Sequence, residues 1–210
     1  TIVITPGTAV AMASILLAVF LLYRRISSIG RLSKWLWGGV LLTMAWVISA
    51  GVTHFNAAQA FTFPPDAFNM STAFFSGLAS AMLITTYDYW GYYNICYLAG
   101  EVKQPQRTIP RAIIISISLV AAIYLLMNIS VLGVIPWREL QAQSSVEARS
   151  SVISVFMQQL YGGWAGKLVT VLIMWTAFSS VFALLLGYSR VPYAAALDGN
   201  YFSAFARLHP

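Results

Sequence analysis

The sequence is poor in charge, in cysteine and in histidine. Only 9% of its 210 residues are charged, whereas 59% are hydrophobic. Soluble domains carry roughly 25% charged residues, so a soluble fold with a polar face on most helices is excluded. Intrinsic disorder needs low hydrophobicity and is excluded as well. The lone Cys96 and the distant His54 and His209 predict no disulfide framework, no metal site and no bound cofactor.

What the sequence has instead is five long apolar stretches. A helix needs about 20 mainly apolar residues to cross the hydrocarbon core of a bilayer. The sequence therefore predicts an all-α fold, a polytopic membrane helix bundle that forms a single membrane domain over residues 1–210. The chain starts at Thr1 without an initiator Met, and we expect it to be a fragment. The predicted helices cover about residues 6–23, 33–54, 72–99, 110–135 and 164–190, with a short external helix at about 146–161.

The basic residues predict the orientation in the membrane. Lys and Arg are enriched in short cytoplasmic loops. The loops after the first, third and fifth apolar stretches are basic, whereas residues 55–71 contain no Lys or Arg. We expect these three loops to be cytoplasmic and the chain to interact with the lipid bilayer rather than with nucleic acid. The basic residues on that side are Arg24, Arg25, Arg31, Lys34, Lys103, Arg107, Arg111, Arg190 and Arg207.

The third apolar stretch contains residues that disfavour a continuous membrane helix. Asp88 lies near its middle, Gly91 follows three positions later and Asn94 three after that. A carboxylate at this depth costs about 2.5–3.5 kcal/mol on insertion scales. A helix that is interrupted near the midplane is typical of secondary transporter binding sites. Two alternatives remain open: an aromatic belt at the membrane interface with Asp88 reaching for water, and an N-cap role for Asp88.

Two motifs of the sequence match a known pattern. One lies in the third stretch and the loop after it and reads Tyr89-Trp90-Gly91-Tyr92-Tyr93-Asn94, then Gly100-Glu101-Val102-Lys103-x-Pro105-x-Arg107-x-Ile109-Pro110-Arg111-Ala112. The other follows the fifth stretch and reads Ser189-Arg190-x-x-Tyr193-Ala194-x-Ala196-x-Asp198-Gly199. Together they resemble the amino acid–polyamine–organocation family of permeases. The first resembles the sixth transmembrane helix of that family with its cytoplasmic loop, and the second resembles the loop after the eighth helix.

The resemblance implies a fold and an activity. The fold would be part of the five-plus-five inverted repeat with one broken helix in this chain, covering about the fourth to eighth helices. The activity would be secondary-active amino acid transport by alternating access, proton-coupled or by exchange, with no enzymatic step. The chain would need the remaining helices of the same protein as partners, and its location would be the plasma (inner) membrane.

The resemblance also implies roles for particular residues. The five residues from Tyr87 to Gly91 match the unwound part of the sixth helix, where family members bind the substrate amino group through backbone carbonyls. Asp88 departs from the small residue common there. Proton-coupled members carry a lysine on the fifth helix, and hydroxyl residues on the eighth helix bind sodium in sodium-coupled relatives. The substrate-binding candidates are Thr86, Tyr87, Asp88, Tyr89, Trp90 and Gly91, the coupling candidates are Lys34, Ser179 and Ser180, and the cytoplasmic loop motif comprises Glu101, Lys103, Arg107, Pro110, Arg111 and Arg190.

Other interpretations of these residues stay open. Lys34 is equally compatible with a cytoplasmic lysine whose stem lies along apolar surface. Ser179 and Ser180 are also small residues of the kind that packs membrane helices. Asp88 suits a dication, which favours a polyamine or amine carrier as an alternative to an amino acid carrier. A membrane receptor or scaffold without turnover is the alternative from another functional class.

Overall fold

The computed structural model describes residues 5–23, 26–65, 67–142 and 151–207. Arg24, Arg25, His209 and the first part of the predicted external helix, residues 146–150, lie outside the described residues. Within the described ranges the regular structure is helical throughout, and the all-α prediction is confirmed. The α-helices are α1 (Pro6–Leu22), α2 (Ile26–Thr53), α3 (Ala57–Ala60), α4 (Thr72–Asp88), α5 (Pro105–Leu132), α6 (Trp137–Ala142), α7 (Val152–Tyr161), α8 (Gly163–Tyr188) and α9 (Arg190–Leu197), and the two 3₁₀ helices are Tyr92–Glu101 and Ser203–Ala206.

Three of the described helices are long and apolar enough to cross a membrane, judged by length and composition. They extend over Ser28–Thr53, Pro105–Leu132 and Gly163–Leu197. The other two predicted spans, α1 and the helical part of the third stretch, have 17 residues each. The long apolar helices make the chain an integral, multi-pass membrane protein.

Local chemistry explains where several of these helices begin. Thr5 and Thr8 form a reciprocal capping box before α1: the Thr5 hydroxyl accepts from the Thr8 N–H, and the Thr8 hydroxyl accepts from the Thr5 N–H. Such a box satisfies two of the four free N–H groups at a helix start. The structure begins α5 at Pro105 rather than near residue 110. Pro110 therefore lies inside the helix, early enough to remove only a bond near its first turn.

The chain divides into two compact units. Unit one consists of Thr1–Leu42, Tyr93–Pro110 and Val171–Pro210, and unit two of Thr43–Tyr92 and Arg111–Thr170. The core of unit one is small and contains Ala18, Ile29, Leu36 and Phe182. The core of unit two is larger and contains Val47, Ala50, Val131, Ile135, Phe156, Met157, Ala165 and Val169.

In each unit a side-chain hydrogen bond joins two helices. In unit one the Trp175 indole N–H on α8 donates to the Leu36 carbonyl on α2 at 3.3 Å. In unit two the Ser154 hydroxyl on α7 donates to the Gly166 carbonyl on α8 at 3.0 Å. Phe156 and Met157 of α7 are fully buried. The short helix α7 is therefore part of the core of unit two.

Candidate functional site

The third apolar stretch is interrupted and consists of two parts. The first half is α4, Thr72–Asp88, and the second half is the 3₁₀ helix Tyr92–Glu101. Residues 89–91 form a turn between them. Gly91 has a φ of +109°, a backbone conformation that side chains with a Cβ rarely adopt. The helix therefore stops at Asp88, and Gly91 holds a backbone conformation that interrupts it.

The end of the first half presents backbone carbonyls. The last four carbonyls of an α-helix have no partner within the helix. The Tyr89 N–H donates to the Thr85 carbonyl and the Trp90 N–H to the Tyr87 carbonyl, both at 3.1 Å. The Tyr124 hydroxyl on α5 donates to the Asp88 carbonyl at 3.4 Å. Carbonyls at such a helix end are therefore candidate acceptors for a ligand.

Aromatic side chains surround this turn in two pairs. The Tyr87 and Trp90 rings meet edge to face with centroids 5.0 Å apart. The Tyr89 ring meets the Tyr124 ring edge to face at 5.6 Å. Edge-to-face pairs are favourable because the positive edge of one ring meets the negative face of the other. Tyr124 therefore supports the turn through both its ring and its hydroxyl.

A cavity of about 610 Å³ lies along one face of the first half. Most of its lining side chains are exposed, so the cavity is open rather than enclosed. The Thr85 and Thr86 hydroxyls donate to the Ala81 and Met82 carbonyls at 2.8 Å, so their oxygen lone pairs remain available as acceptors. The lining residues are Leu78, Ala81, Met82, Thr85, Thr86, Tyr89, Trp90 and Tyr92.

The cavity contains three of the six predicted substrate-binding residues, namely Thr86, Tyr89 and Trp90. Tyr87, Asp88 and Gly91 do not line it. The Asp88 side chain is exposed, and it forms no ion pair within the described part of the chain. Sequence reasoning missed Leu78, Ala81, Met82 and Thr85. Their helical spacing was the available signal, because these positions lie on one face of α4.

The coupling candidates are only partly brought together. Ser179 and Ser180 donate to the Trp175 and Thr176 carbonyls of their own helix at 2.8 and 3.1 Å. Both line a second cavity of about 240 Å³ in unit one. Lys34 is exposed and does not line this cavity. The other lining residues are Ser33, Leu36, Trp37, Val40, Phe182 and Ala183.

The cytoplasmic loop motif contains one ion pair. The Arg190 Nε donates to the Glu101 carboxylate at 2.8 Å. The side chains of Lys103, Arg107 and Arg111 are exposed, and none of them forms an ion pair within the described residues. In those residues no group of three or more His, Cys, Asp and Glu side chains is placed to hold a metal ion.

Contacts of the second half with α8 were not predicted. The Tyr93 and Tyr188 hydroxyls are 3.0 Å apart, and the Asn94 amide donates to the Ala183 carbonyl at 2.8 Å. These partners lie 95 and 89 positions apart in the chain. Hydrophobic periodicity reports only on neighbours along one element, so it held no signal for these pairs.

An apolar all-helical chain with a non-helical turn inside one segment is typical of secondary transporters, whose sites lie at such interruptions. A family profile described as "Amino acid permease" matches residues 3–210. The chain belongs to this amino acid permease family, within the amino acid–polyamine–organocation group that the motifs indicated.

Three relatives illustrate the similarity. "Cationic amino acid transporter 4" of Homo sapiens is 28% identical over 88% of this chain and 28% of its own length. The "Branched-chain amino acid permease BcaP" of Lactococcus lactis is 28% identical over 90% of this chain and 40% of its own. The "Serine/threonine exchanger SteT" of Bacillus subtilis is 31% identical over 56% of this chain and 26% of its own. The chain thus spans well under half the length of these curated relatives.

Proposed function

We propose that this chain supplies half of the substrate site of a secondary-active amino acid transporter in the plasma membrane. The observation that carries the proposal is the turn at residues 89–91, which ends α4 inside the third apolar stretch, and the cavity beside it. A substrate ammonium group needs hydrogen-bond acceptors, and carbonyls at an unwound helix end supply them without a fixed charge. Family membership and the names of the relatives support the same substrate class.

The lining of the cavity suits the side chain of an amino acid. Leu78, Met82 and Trp90 provide apolar surface, and Thr85 and Thr86 provide hydroxyl oxygens. We expect the substrate carboxylate to be bound by other helices of the complete transporter. Alternating access would then open this site to one side of the membrane at a time.

The experiment is uptake by the complete protein in proteoliposomes. A labelled amino acid mixture and labelled putrescine are supplied separately, with and without an inward proton gradient. Uptake of amino acids above protein-free vesicles supports the proposal. Absence of uptake and of counterflow, with amino acid binding retained, would contradict it and support a receptor without turnover.

A polyamine or amine carrier is the second candidate, because the Asp88 carboxylate is exposed and without an ion pair in the described part of the chain. A carboxylate beside the site would pair with the second ammonium group of a diamine. Uptake of putrescine that neutral amino acids do not inhibit would favour this candidate.

Proton coupling through Lys34 is a further part of the proposal. Its support is its position on α2, one residue after Ser33, which lines the second cavity with Ser179 and Ser180. We expect Lys34→Ala to remove the stimulation of uptake by a proton gradient and to leave exchange of internal for external substrate intact. Gradient-driven uptake that equals the wild type would contradict the role of Lys34.

A further inference from the structure

Asn94 makes a polar contact between the second half and α8. It lies three positions after Gly91 on the chain, and its amide Nδ2 donates to the Ala183 carbonyl on α8 at 2.8 Å. A backbone carbonyl has two lone pairs, so Ala183 can accept this bond in addition to the one within its own helix. The contact therefore joins the second half to α8 without breaking that helix.

Gly187 lies one helical turn after Ala183, against the other end of the same amide. A Cβ at position 187 would overlap the Asn94 Oδ1, closer than any real contact. The hydrogen that Gly187 carries in place of a side chain therefore points at this oxygen, as in the weak C–H···O contacts found between helices. The absence of a side chain at Gly187 leaves a notch in the surface of α8, and the Asn94 amide fills it.

The Asn94 Oδ1 atom is buried and has no N–H or O–H donor among the described residues. A buried acceptor without a donor destabilises a fold. An apolar side chain of similar size would fill the notch without that penalty. The amide therefore calls for an explanation other than packing, and its hydrogen bond to the Ala183 carbonyl supplies one, because it fixes the register of the second half on α8.

We propose that Asn94, seated in the notch at Gly187, is a positioning residue for transport: it fixes the register of the second half on α8, three positions along the chain from Gly91. This inference rests on the proposed function. The Tyr93–Tyr188 pair and the Glu101–Arg190 pair hold the same 3₁₀ helix through side chains that remain partly exposed. Asn94 holds it through an amide whose oxygen is buried, close to the turn.

The test measures substrate KM and maximal uptake rate per folded molecule for the complete protein in proteoliposomes. The substrate is an amino acid that the wild type carries, and the variants are Asn94→Ala, Gly187→Ala and the two combined. We expect Asn94→Ala to raise KM by about tenfold, the factor that corresponds to the loss of one hydrogen bond. Gly187→Ala should have a larger effect, because its methyl group displaces the amide. The combined variant should recover to the level of Asn94→Ala, since the clash is gone.

Gly38→Ala is the matched control, because Gly38 is also a helical glycine of unit one and a Cβ there meets nothing within 4 Å. A purely structural contact would lower the amount of folded protein and leave KM unchanged. KM values equal to the wild type in both Asn94→Ala and Gly187→Ala would overturn the positioning role while leaving the proposed function standing. If Gly187→Ala does not fold, Asn94→Ala and Asn94→Ser decide the question. A wild type that neither binds nor carries any amino acid would overturn both.

Discussion

The two halves of the interrupted segment differ in what their polar groups bind. In the first half the hydroxyls of Ser80, Thr85 and Thr86 all donate to carbonyls of their own helix. In the second half the Tyr93 hydroxyl, the Asn94 amide and the Glu101 carboxylate all bind residues that lie much later in the chain. The hydroxyls of the first half thus bind within their own helix, and the side chains of the second half bind other elements.

Neither half has a buried residue, but the two halves differ in exposure. Met82, Leu83 and Ile84 of the first half are each more than 60% exposed, whereas Tyr93, Asn94 and Ile95 of the second half are partly buried. An apolar helix as exposed as the first half has its surface available to lipid, to a ligand or to helices outside the described residues. We infer that the second half is attached to α8, whereas the first half contacts α5 at its last residue.

The largest expected effect comes from replacing the glycine at the turn. Gly91→Ala places a Cβ on a backbone with a φ of +109°, which costs about 1–3 kcal/mol when the surroundings hold that conformation. We expect a lower midpoint of thermal unfolding in detergent and a loss of uptake of about tenfold or more. The midpoint falls if the turn keeps its shape under strain. Uptake falls if the turn instead becomes helical and joins the two halves into one helix.

Gly77→Ala is the control for this prediction. Gly77 lies in the first half with helical backbone, and a Cβ there meets nothing within 4 Å. Alanine is favoured over glycine inside a helix by roughly 0.8–1 kcal/mol, so this variant should be neutral or slightly more stable. Equal losses of uptake and of thermal stability in Gly91→Ala and Gly77→Ala would show that the turn has no particular role. The contrast between the two halves would then no longer hold.

The interruption itself was predictable from sequence, because Asp88 and Gly91 are both poor residues for a membrane helix. Its position could be assigned to a few residues because Asp88 and Gly91 lie only three positions apart. Non-helical backbone at membrane depth is tolerated only beside protein or a cavity, which indicated a site there. The attachment of the second half could not be predicted. Asn94 and Gly187 look like ordinary polar and small residues in their own segments, and only the packed structure brings them together.

The next effect concerns the charge at the end of the first half. A carboxylate at a helix C-terminus faces the negative end of the helix dipole, which costs about 0.3–1 kcal/mol. Asp88 is the last residue of α4. We expect Asp88→Asn to raise the thermal midpoint slightly and to leave uptake of neutral amino acids within about threefold of the wild type, because the side chain does not line the cavity.

Asp198→Asn separates the dipole effect from a role in binding, since Asp198 follows α9 as its C-cap. Both variants should gain similar stability. A loss of cationic substrate uptake in Asp88→Asn, but not in Asp198→Asn, would assign the Asp88 carboxylate to the binding site. It would favour the amine carrier. A loss of neutral amino acid uptake in that variant would contradict the expectation.

A smaller effect is expected from the ion pair at the far end of the second half. The Arg190 and Glu101 side chains remain 29% and 38% exposed, and exposed ion pairs contribute about 0.2–1 kcal/mol. Glu101→Gln should lower stability by that amount in low salt and by less in about 1 M salt, because salt screens the pair. The exchange Glu101→Arg with Arg190→Glu should restore part of the loss. Lys103→Gln, which removes another charge of the loop motif, is the control and should have no comparable effect. A loss of stability in Glu101→Gln that does not depend on salt would indicate a contact other than the ion pair.

The smallest effect tests the contact that α5 makes with the end of the first half. The Tyr124 hydroxyl lies 3.4 Å from the Asp88 carbonyl, longer than the roughly 2.5–3.0 Å usual for O–H···O bonds. Tyr124→Phe keeps the ring contact with Tyr89 and removes only this long bond, so we expect a change in unfolding free energy below about 0.5 kcal/mol and unchanged uptake. Tyr124→Leu also removes the edge-to-face pair and should cost about 0.5–1.5 kcal/mol more. If Tyr124→Phe instead abolishes uptake at unchanged stability, the bond must shorten in the transporting state. The first half would then be held by α5 during transport. The difference between the two halves would be limited to the conformation described here.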